Sequence, residues 1–386
     1  MPNARRTGTF TESVIREMTR VAQEHGAINL AQGFPDFPMP ASMKAAACDA
    51  INGDVNQYAV TWGDKSLRHA IAGKYARRYD MPVDPEREIT VACGATEAMA
   101  AVFLALLDPG DEVLIFEPFY ENYGPDAILC DATPVFVPLT PPDWQFDEAA
   151  LRASVSPRTR ALVLNSPHNP TGHVFSRDEL AAIARVCIEH DLIVLTDDPY
   201  EYILFSGEHI PIATLPGMRE RTVTISSLSK TFSITGWRIG YAIASEERSS
   251  AIRKVHDFLT VGAPAPLQQA AAIGYAYPDA YYRKLSDDYQ ARRDYLGVAL
   301  RQAGFRFADP QGAYYFFAEF GELSDRDDVT FAKWMAKEIG VATVPGSSFY
   351  RPGAEAGTHY VRFAFCKQQS TLEQAVERLS KLKVVV

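Results

Sequence analysis

Between Ile89 and Ala244 the chain repeats one pattern. A short run of apolar residues ends in a polar or glycine-bearing turn, and a stretch with helical spacing follows. The runs are Ile89–Ala92, Glu112–Phe116, Arg160–Leu164, Asp191–Leu195 and Thr222–Ile225, with Ile239–Ala244 closing the series. Short apolar runs bounded by turn residues read as buried strands, and strands alternating with helices read as a parallel sheet. Ala95–Leu107 is almost wholly apolar and predicts a buried helix, and Ser176-Arg177-Asp178-Glu179 is a capping box opening a helix to His190. The expected fold class is therefore α/β, a mostly parallel sheet covered by helices on both faces.

Outside that region the pattern changes. Thr11–His25 has helical spacing and stops at Gly26, Ser245–Thr260 predicts a helix broken by Val261–Pro266, and Asp279–Ala303 predicts a long helix ended by Gly304. Beyond it, strands near Ala313–Phe320, Val341–Val344 and Tyr360–Phe365 mix with helices near Val329–Ile339 and Thr371–Leu382. This predicts a large unit over 46–287 and a smaller α+β unit made of 288–386 and an N-terminal arm, 1–45.

Composition narrows the functional classes. The 386 residues suffice for an ample core, and 47% hydrophobic with 22% charged residues is ordinary for a globular protein. A net charge of −10 argues against nucleic acid or an anionic membrane as partner. The five cysteines are scattered and never spaced Cys-x-x-Cys, which predicts reduced thiols and a cytoplasmic setting. No histidine pair has metal-ligand spacing, so no metal is expected. The start of the chain lacks the apolar core of a signal peptide, and no apolar run is long enough to span a membrane.

Candidate chemistry gathers at the strand ends, above all in Ser226-Ser227-Leu228-Ser229-Lys230 through Gly236-Trp237-Arg238-Ile239-Gly240. A lysine in a compact polar turn, held from bulk water, becomes a better nucleophile. Taken singly it is also an ordinary surface charge. Serine hydroxyls and an arginine beside it are the donors a phosphate needs. Together they point to a Schiff base with a phosphorylated aldehyde, pyridoxal phosphate. Gly94, with Ala95 and Thr96 opening the next helix, can turn backbone N–H groups toward an anion, though many strand–helix turns carry glycine. Asp197 stands at a strand end, where α/β sheets bind ligands and where a helix cap also fits. Neither Gly-x-Gly-x-x-Gly nor a P-loop occurs, which argues against a nucleotide enzyme.

The strings Ser-x-Ser-Lys, Gly-Trp-Arg-x-Gly and Asn165-Ser166-Pro167-His168-Asn169-Pro170-Thr171-Gly172 resemble the fold-type I, class I/II pyridoxal-phosphate aminotransferases over nearly the whole chain. The resemblance implies that Lys230 binds the cofactor and moves the proton. It sets Asp197 beside the pyridine nitrogen, Asn169 and Tyr200 on the ring oxygen, and Tyr120 over the ring face. Ser227, Arg238 and the amides of Gly94, Ala95 and Thr96 would hold the phosphate. Tyr58 would reach the phosphate of a second subunit, implying a homodimer. Gly33 and Phe34 would line the substrate entrance, and Arg362 would grip the substrate α-carboxylate, where an arginine among apolar neighbours otherwise pairs with a protein carboxylate. Gly236–Tyr241 and Ile252–His256 carry a nearer likeness to enzymes acting on methionine, glutamine, kynurenine or aromatic amino acids. A neutral or aromatic donor is expected because Phe258–Pro264 offers no cation, unless Arg5, Arg6 or a basic residue from elsewhere reaches the mouth. An aspartate-type enzyme and a cysteine-conjugate β-lyase would use the same site. The effector domain of a transcription regulator would need a DNA-binding domain, for which the residues before Asn29 are too few.

Overall fold

The computed structural model describes residues 4–382. Its centre is an eight-stranded sheet in the order Ile89–Ala92, Gly240–Ile243, Thr222–Ser227, Ile193–Asp197, Thr159–Asn165, Glu112–Glu117, Thr133–Thr140, Gln145–Phe146. The strands run parallel except Gly240–Ile243 and Gln145–Phe146, which lie antiparallel to their neighbours. The Glu112–Glu117 and Thr222–Ser227 strands are buried at every position, as continuous apolar runs under two helical layers should be.

One strand and one boundary differ from the sequence reading. The proline-rich loop read over Thr140 to Gln145 is present as a turn at residues 141–144, but the strand before it, Thr133–Thr140, paired over Thr133–Pro138 with Glu112–Glu117, escapes that reading. Pro134 and Pro138 obscure it. They are tolerated because its outer neighbour bonds only Leu139 and Thr140, leaving most of that edge without a ladder. The strand expected to stop at Leu195 runs two residues further, with Asp197 paired to Asn165 and Ile225. Asp197 is thus fixed by the sheet itself.

The Ala95–Leu106 helix buries Ala98, Val102 and Phe103, each large side chain contributing about 1.5–3 kcal/mol. The capping box forms between Ser176 and Glu179. A second, three-stranded sheet orders Tyr315–Glu319, Tyr360–Ala364 and Val344–Pro345, and Ile28–Asn29 pairs in parallel with Val341–Ala342. The long helix Asp279–Gln302 buries Tyr289, Leu296 and Leu300 between the two regions. One apolar core joins them, from Leu114 and Phe116 of the large sheet to Phe316 and Phe363 of the small one. No helix among the described residues is long and apolar enough to cross a membrane.

Candidate active site

A cavity of ≈ 410 Å³ opens at the C-terminal ends of the parallel strands. Its walls include Gly33, Phe34, Ala95, Thr96, Tyr120, Asn169, Asp197, Tyr200, Ser227, Lys230, Arg238 and Arg362. Residues 33 to 362 in sequence meet there because most of them follow or end a strand of the large sheet, while Arg362 comes from the middle of Tyr360–Ala364 and Gly33 and Phe34 from the segment after Ile28–Asn29. Gly94 lies directly behind the wall, with the Arg238 guanidinium over it. Tyr58 alone among the sequence candidates stays away from this cavity, and in the single chain it is 84% exposed.

Lys230 follows the Thr222–Ser227 strand, and its Nζ donates to the Gly33 carbonyl at 3.2 Å. Burial pulls its pKa down to about 8, with Arg238 and Arg362 pushing the same way and Cys366 and Asp197 opposing. Asp197 faces it across the floor. Its Oδ2 accepts from the Tyr123 hydroxyl at 2.7 Å, and its Oδ1 is buried with no partner. Burial pushes this carboxyl up to about 6, against the Tyr123 hydrogen bond and the Lys230 charge. Near neutrality Asp197 is therefore mostly anionic, with one oxygen waiting for a donor.

The anion cup is built by close backbone approach. Gly94 caps the Ala95–Leu106 helix at φ 85° with no side chain to satisfy the first-turn amides. A Cβ on Gly94 would stand 2.3 Å from Arg238 Nη2, and one on Gly240 would stand 2.3 Å from the Ala95 nitrogen. Both positions need glycine. Arg238 donates to the Thr235 carbonyl at 3.0 Å and, more weakly, to that of Cys93 at 3.4 Å. Helix dipole, free amides, the Ser227 hydroxyl and this guanidinium converge on one corner.

Arg362 resolves the alternative that its sequence neighbourhood left open. It is 1% exposed, yet among the described residues it pairs with no carboxylate. Nη1 donates to Asn169 Oδ1 at 2.8 Å, Nη2 donates to the Ala31 carbonyl at 2.8 Å, and Nε is buried without an acceptor. Its charge lies over the rings of Tyr315 at 4.1 Å and Phe349 at 4.8 Å. A buried guanidinium without an anion is costly unless a ligand supplies one.

Several residues of the site escaped the sequence reading. Asn165 accepts from the Asn169 amide at 2.7 Å and donates to the Asp197 carbonyl; it lies in the same string as Asn169, which was the available signal. Tyr315 shares a 3.0 Å hydrogen bond with Tyr200. Tyr123 stands on the short helix Tyr123–Leu129, and nothing in its local sequence marks it. Ser13 and Arg16, at the start of the Val14–Glu24 helix, line the cavity, whereas Arg6, one of the basic residues left open for the mouth, donates to the Leu129 carbonyl. The Arg5 side chain lies outside the described residues.

These features fit pyridoxal phosphate. The unpartnered Asp197 oxygen matches a pyridinium N–H, the glycine-lined corner matches a phosphate, and Asn169 and Tyr200 bring hydrogen-bonding groups to the wall between them. Lys230 supplies the amine, and Tyr120 supplies an aromatic wall.

Comparison with known proteins agrees with this chemistry. The sequence profile described as "Aminotransferase class I and II" matches residues 25–379. The chain is 43% identical over 383 residues to "Probable N-succinyldiaminopimelate aminotransferase DapC" of Mycobacterium tuberculosis, covering 97% of this chain and 96% of that protein. It is 38% identical over 372 residues to the methionine aminotransferase of Escherichia coli, covering 96% of each. The solved N-succinyldiaminopimelate aminotransferase of M. tuberculosis superposes with a TM-score of 0.96 at 43% identity, over 99% of this chain and 100% of that one. With site geometry, fold and sequence in agreement, the chain belongs to the class I and II aminotransferases, fold-type I enzymes that depend on pyridoxal phosphate.

Proposed function

We propose that Lys230 is the covalent anchor and proton carrier of this aminotransferase, working between Asp197 on one side and Arg362 on the other. The observation that carries this is the buried, anion-free guanidinium of Arg362 in the same cavity as the half-buried Lys230 amine. Pyridoxal phosphate, when bound, supplies an aldehyde that captures an amine and a ring that accepts electrons when the Cα proton leaves. Asp197 would keep the ring nitrogen protonated, and Ser227, Arg238 and the Gly94, Ala95 and Thr96 amides would hold the phosphate. Tyr120 would supply an aromatic wall to the ring, and Asn169 and Tyr200 would hydrogen-bond the ring oxygen. Arg362 orients the donor by its α-carboxylate, with Gly33 and Phe34 at the entrance. Lys230, with a pKa near 8, takes the Cα proton and returns it.

Phe34, Tyr120 and Tyr315, which share the cavity lining with Lys230, are aromatic and uncharged. They support a neutral or aromatic side chain at that depth, of the methionine, glutamine, kynurenine or phenylalanine type. A short acidic chain such as aspartate would bury its second carboxylate there, at a cost of several kcal/mol. Arg16 at the mouth favours a second reading, a donor that is neutral near the ring and acidic farther out. The likeness to a protein named for N-succinyldiaminopimelate supports it.

The working unit in this reading is a homodimer. Tyr58 and Phe258 are 84% and 93% exposed, and the hydrogen bond from Thr61 to Asp257 ties the segment after Tyr58 to the helix Glu246–Thr260 that carries Phe258. An aromatic patch there suits a second copy of the chain, with Tyr58 reaching the partner's phosphate. The 46–287 unit carries the cofactor and the 1–45 with 288–386 unit carries Arg362, a division supported by the separate sheets. Five free thiols support a cytoplasmic setting. An amino-donor panel with several oxo acids tests the assignment. Accumulation of pyridoxamine phosphate in a single turnover is the expected result, and pyruvate with ammonia from cysteine conjugates would identify a β-lyase instead.

A further inference from the structure

Past Asn29 the chain leaves its short strand, yet none of the next carbonyls is idle. That of Leu30 accepts from the Ala364 amide at 2.7 Å, and that of Ala31 accepts from Arg362 Nη2 at 2.8 Å. Lys367 Nζ donates to the Gln32 carbonyl at 3.2 Å and to that of Phe34 at 2.9 Å, and the Tyr314 hydroxyl donates to Gly33 at 2.8 Å. The segment that brings Gly33 and Phe34 to the cavity is therefore held, carbonyl by carbonyl, by Tyr314, the Tyr360–Ala364 strand and the residues just after it.

Lys367 is the member of this set that packing does not explain. It is 2% exposed and stands behind the cavity wall rather than in it. Among the described residues it pairs with no carboxylate, unlike Lys74, Lys284, Lys333 and Lys337. Asp36, the acidic residue of the same segment, is occupied elsewhere: its carboxylate accepts from the Gln368 amide and, at 2.7 Å, from the Thr371 hydroxyl, at the start of the Gln369–Leu379 helix. An ammonium buried without a counter-ion is costly, and an uncharged side chain of the same length would fill the space without that cost. What the ammonium adds is geometric. One Nζ binds the carbonyls on both sides of Gly33, and it also lies 4.0 Å from the centroid of the Phe34 ring. Phe34 is thus fixed by its backbone and by a cation–π contact at once.

We infer that Lys367 is a positioning residue for the amino donor: it holds Gly33 and Phe34 in the shape that seats the donor beside Arg362, and so acts on donor binding rather than on the proton transfer at Lys230. This rests on Gly33 and Phe34 forming the entrance. Lys367 reaches the donor only through that segment, because it does not line the cavity itself. A wall held in its bound shape needs no ordering when the donor arrives, and binding keeps the free energy that ordering would cost.

The test uses the wild-type holoenzyme, Lys367→Met and Lys367→Arg. It measures kcat and KM for the best donor of an amino-acid panel, cofactor retention on dialysis, and calorimetric binding of hexanoate, an unreactive monocarboxylate. Lys367→Met should raise KM and weaken hexanoate binding about tenfold, the equivalent of ~1.4 kcal/mol. Its kcat should stay within about threefold of wild type, the mark of lost binding rather than lost chemistry, and its cofactor retention should not change. Lys367→Arg, which keeps the charge and the donors, should recover part of the loss. Where Lys367→Met does not fold, Lys367→Gln, neutral but still a donor, carries the same expectation. The inference is overturned if KM and hexanoate binding stay at wild-type values, if kcat and cofactor retention fall along with them, or if neither neutral variant folds, since each result leaves Lys367 a role in packing alone. A wild type inactive with every donor would instead remove the aminotransferase reading on which the entrance rests.

Discussion

At the scale of single residues, the site depends on burial shifting two ionisable groups toward neutrality from opposite directions. Lys230 is lowered to about 8 and Asp197 raised to about 6. In the apoprotein, the rate of Lys230 modification by an amine reagent should rise with a midpoint near pH 8; a midpoint near the ordinary 10.5 would show an unburied amine. The sign for stability follows. Between about 8 and 10.5 the unfolded chain holds the Lys230 proton that the folded chain has lost, so this group's contribution to apoprotein stability rises with pH across that window. Asp197→Ala should keep the fold and slow turnover by roughly three orders of magnitude, about 4 kcal/mol of barrier. Near-normal rates in that variant would reduce Asp197 to a structural role. Lys230, Asp197 and Asn169 were legible because each lies in a local string at or just past the end of a strand. The state of Arg362 was not. Its partners Asn169 and Ala31 are distant in sequence, and only tertiary packing shows that no carboxylate reaches it.

At the scale of elements, two junctions hold the site. The first is the contact between Gly240, opening its strand, and the start of the Ala95–Leu106 helix, where the intruding Cβ would meet backbone rather than a side chain that can swing aside. Gly240→Ala should therefore destabilise by about 1–3 kcal/mol and weaken cofactor retention at least tenfold, read by denaturation and by dialysis. Unchanged retention would mean that the corner does not hold the phosphate. The second is the buried Lys74–Glu201 pair, at 2.5 Å and caged by Tyr75 and Tyr241, which anchors the residue after Tyr200. Lys74→Met strands Glu201 without its cation and should cost about 3–5 kcal/mol in a urea titration. The alternating strands and helices of this region were readable because both faces are buried and the apolar runs are continuous. The Thr133–Thr140 strand was not, because its prolines carry the signature of a loop and only its near-edge position tolerates them.

At the scale of the whole molecule, the N-terminal arm shows where sequence reasoning stopped. The Val14–Glu24 helix was evident from its spacing, but the path that brings Arg16 over a cavity formed by residues as distant as Arg362 is a tertiary fact. The aromatic patch at Tyr58 and Phe258 gives a further whole-molecule expectation. Mixing inactive Tyr58→Ala and Lys230→Ala subunits should regenerate activity if each site borrows from its partner, and no recovery after verified exchange would argue for self-contained sites. The central claim, a cofactor carried on Lys230 and displaced by the amino donor, is tested most directly by borohydride reduction of the holoenzyme followed by peptide mapping. The account predicts cofactor fixed to Lys230 alone, and loss of that label when an amino donor is added before reduction. Label on another lysine, or a label that the donor cannot remove, would contradict it.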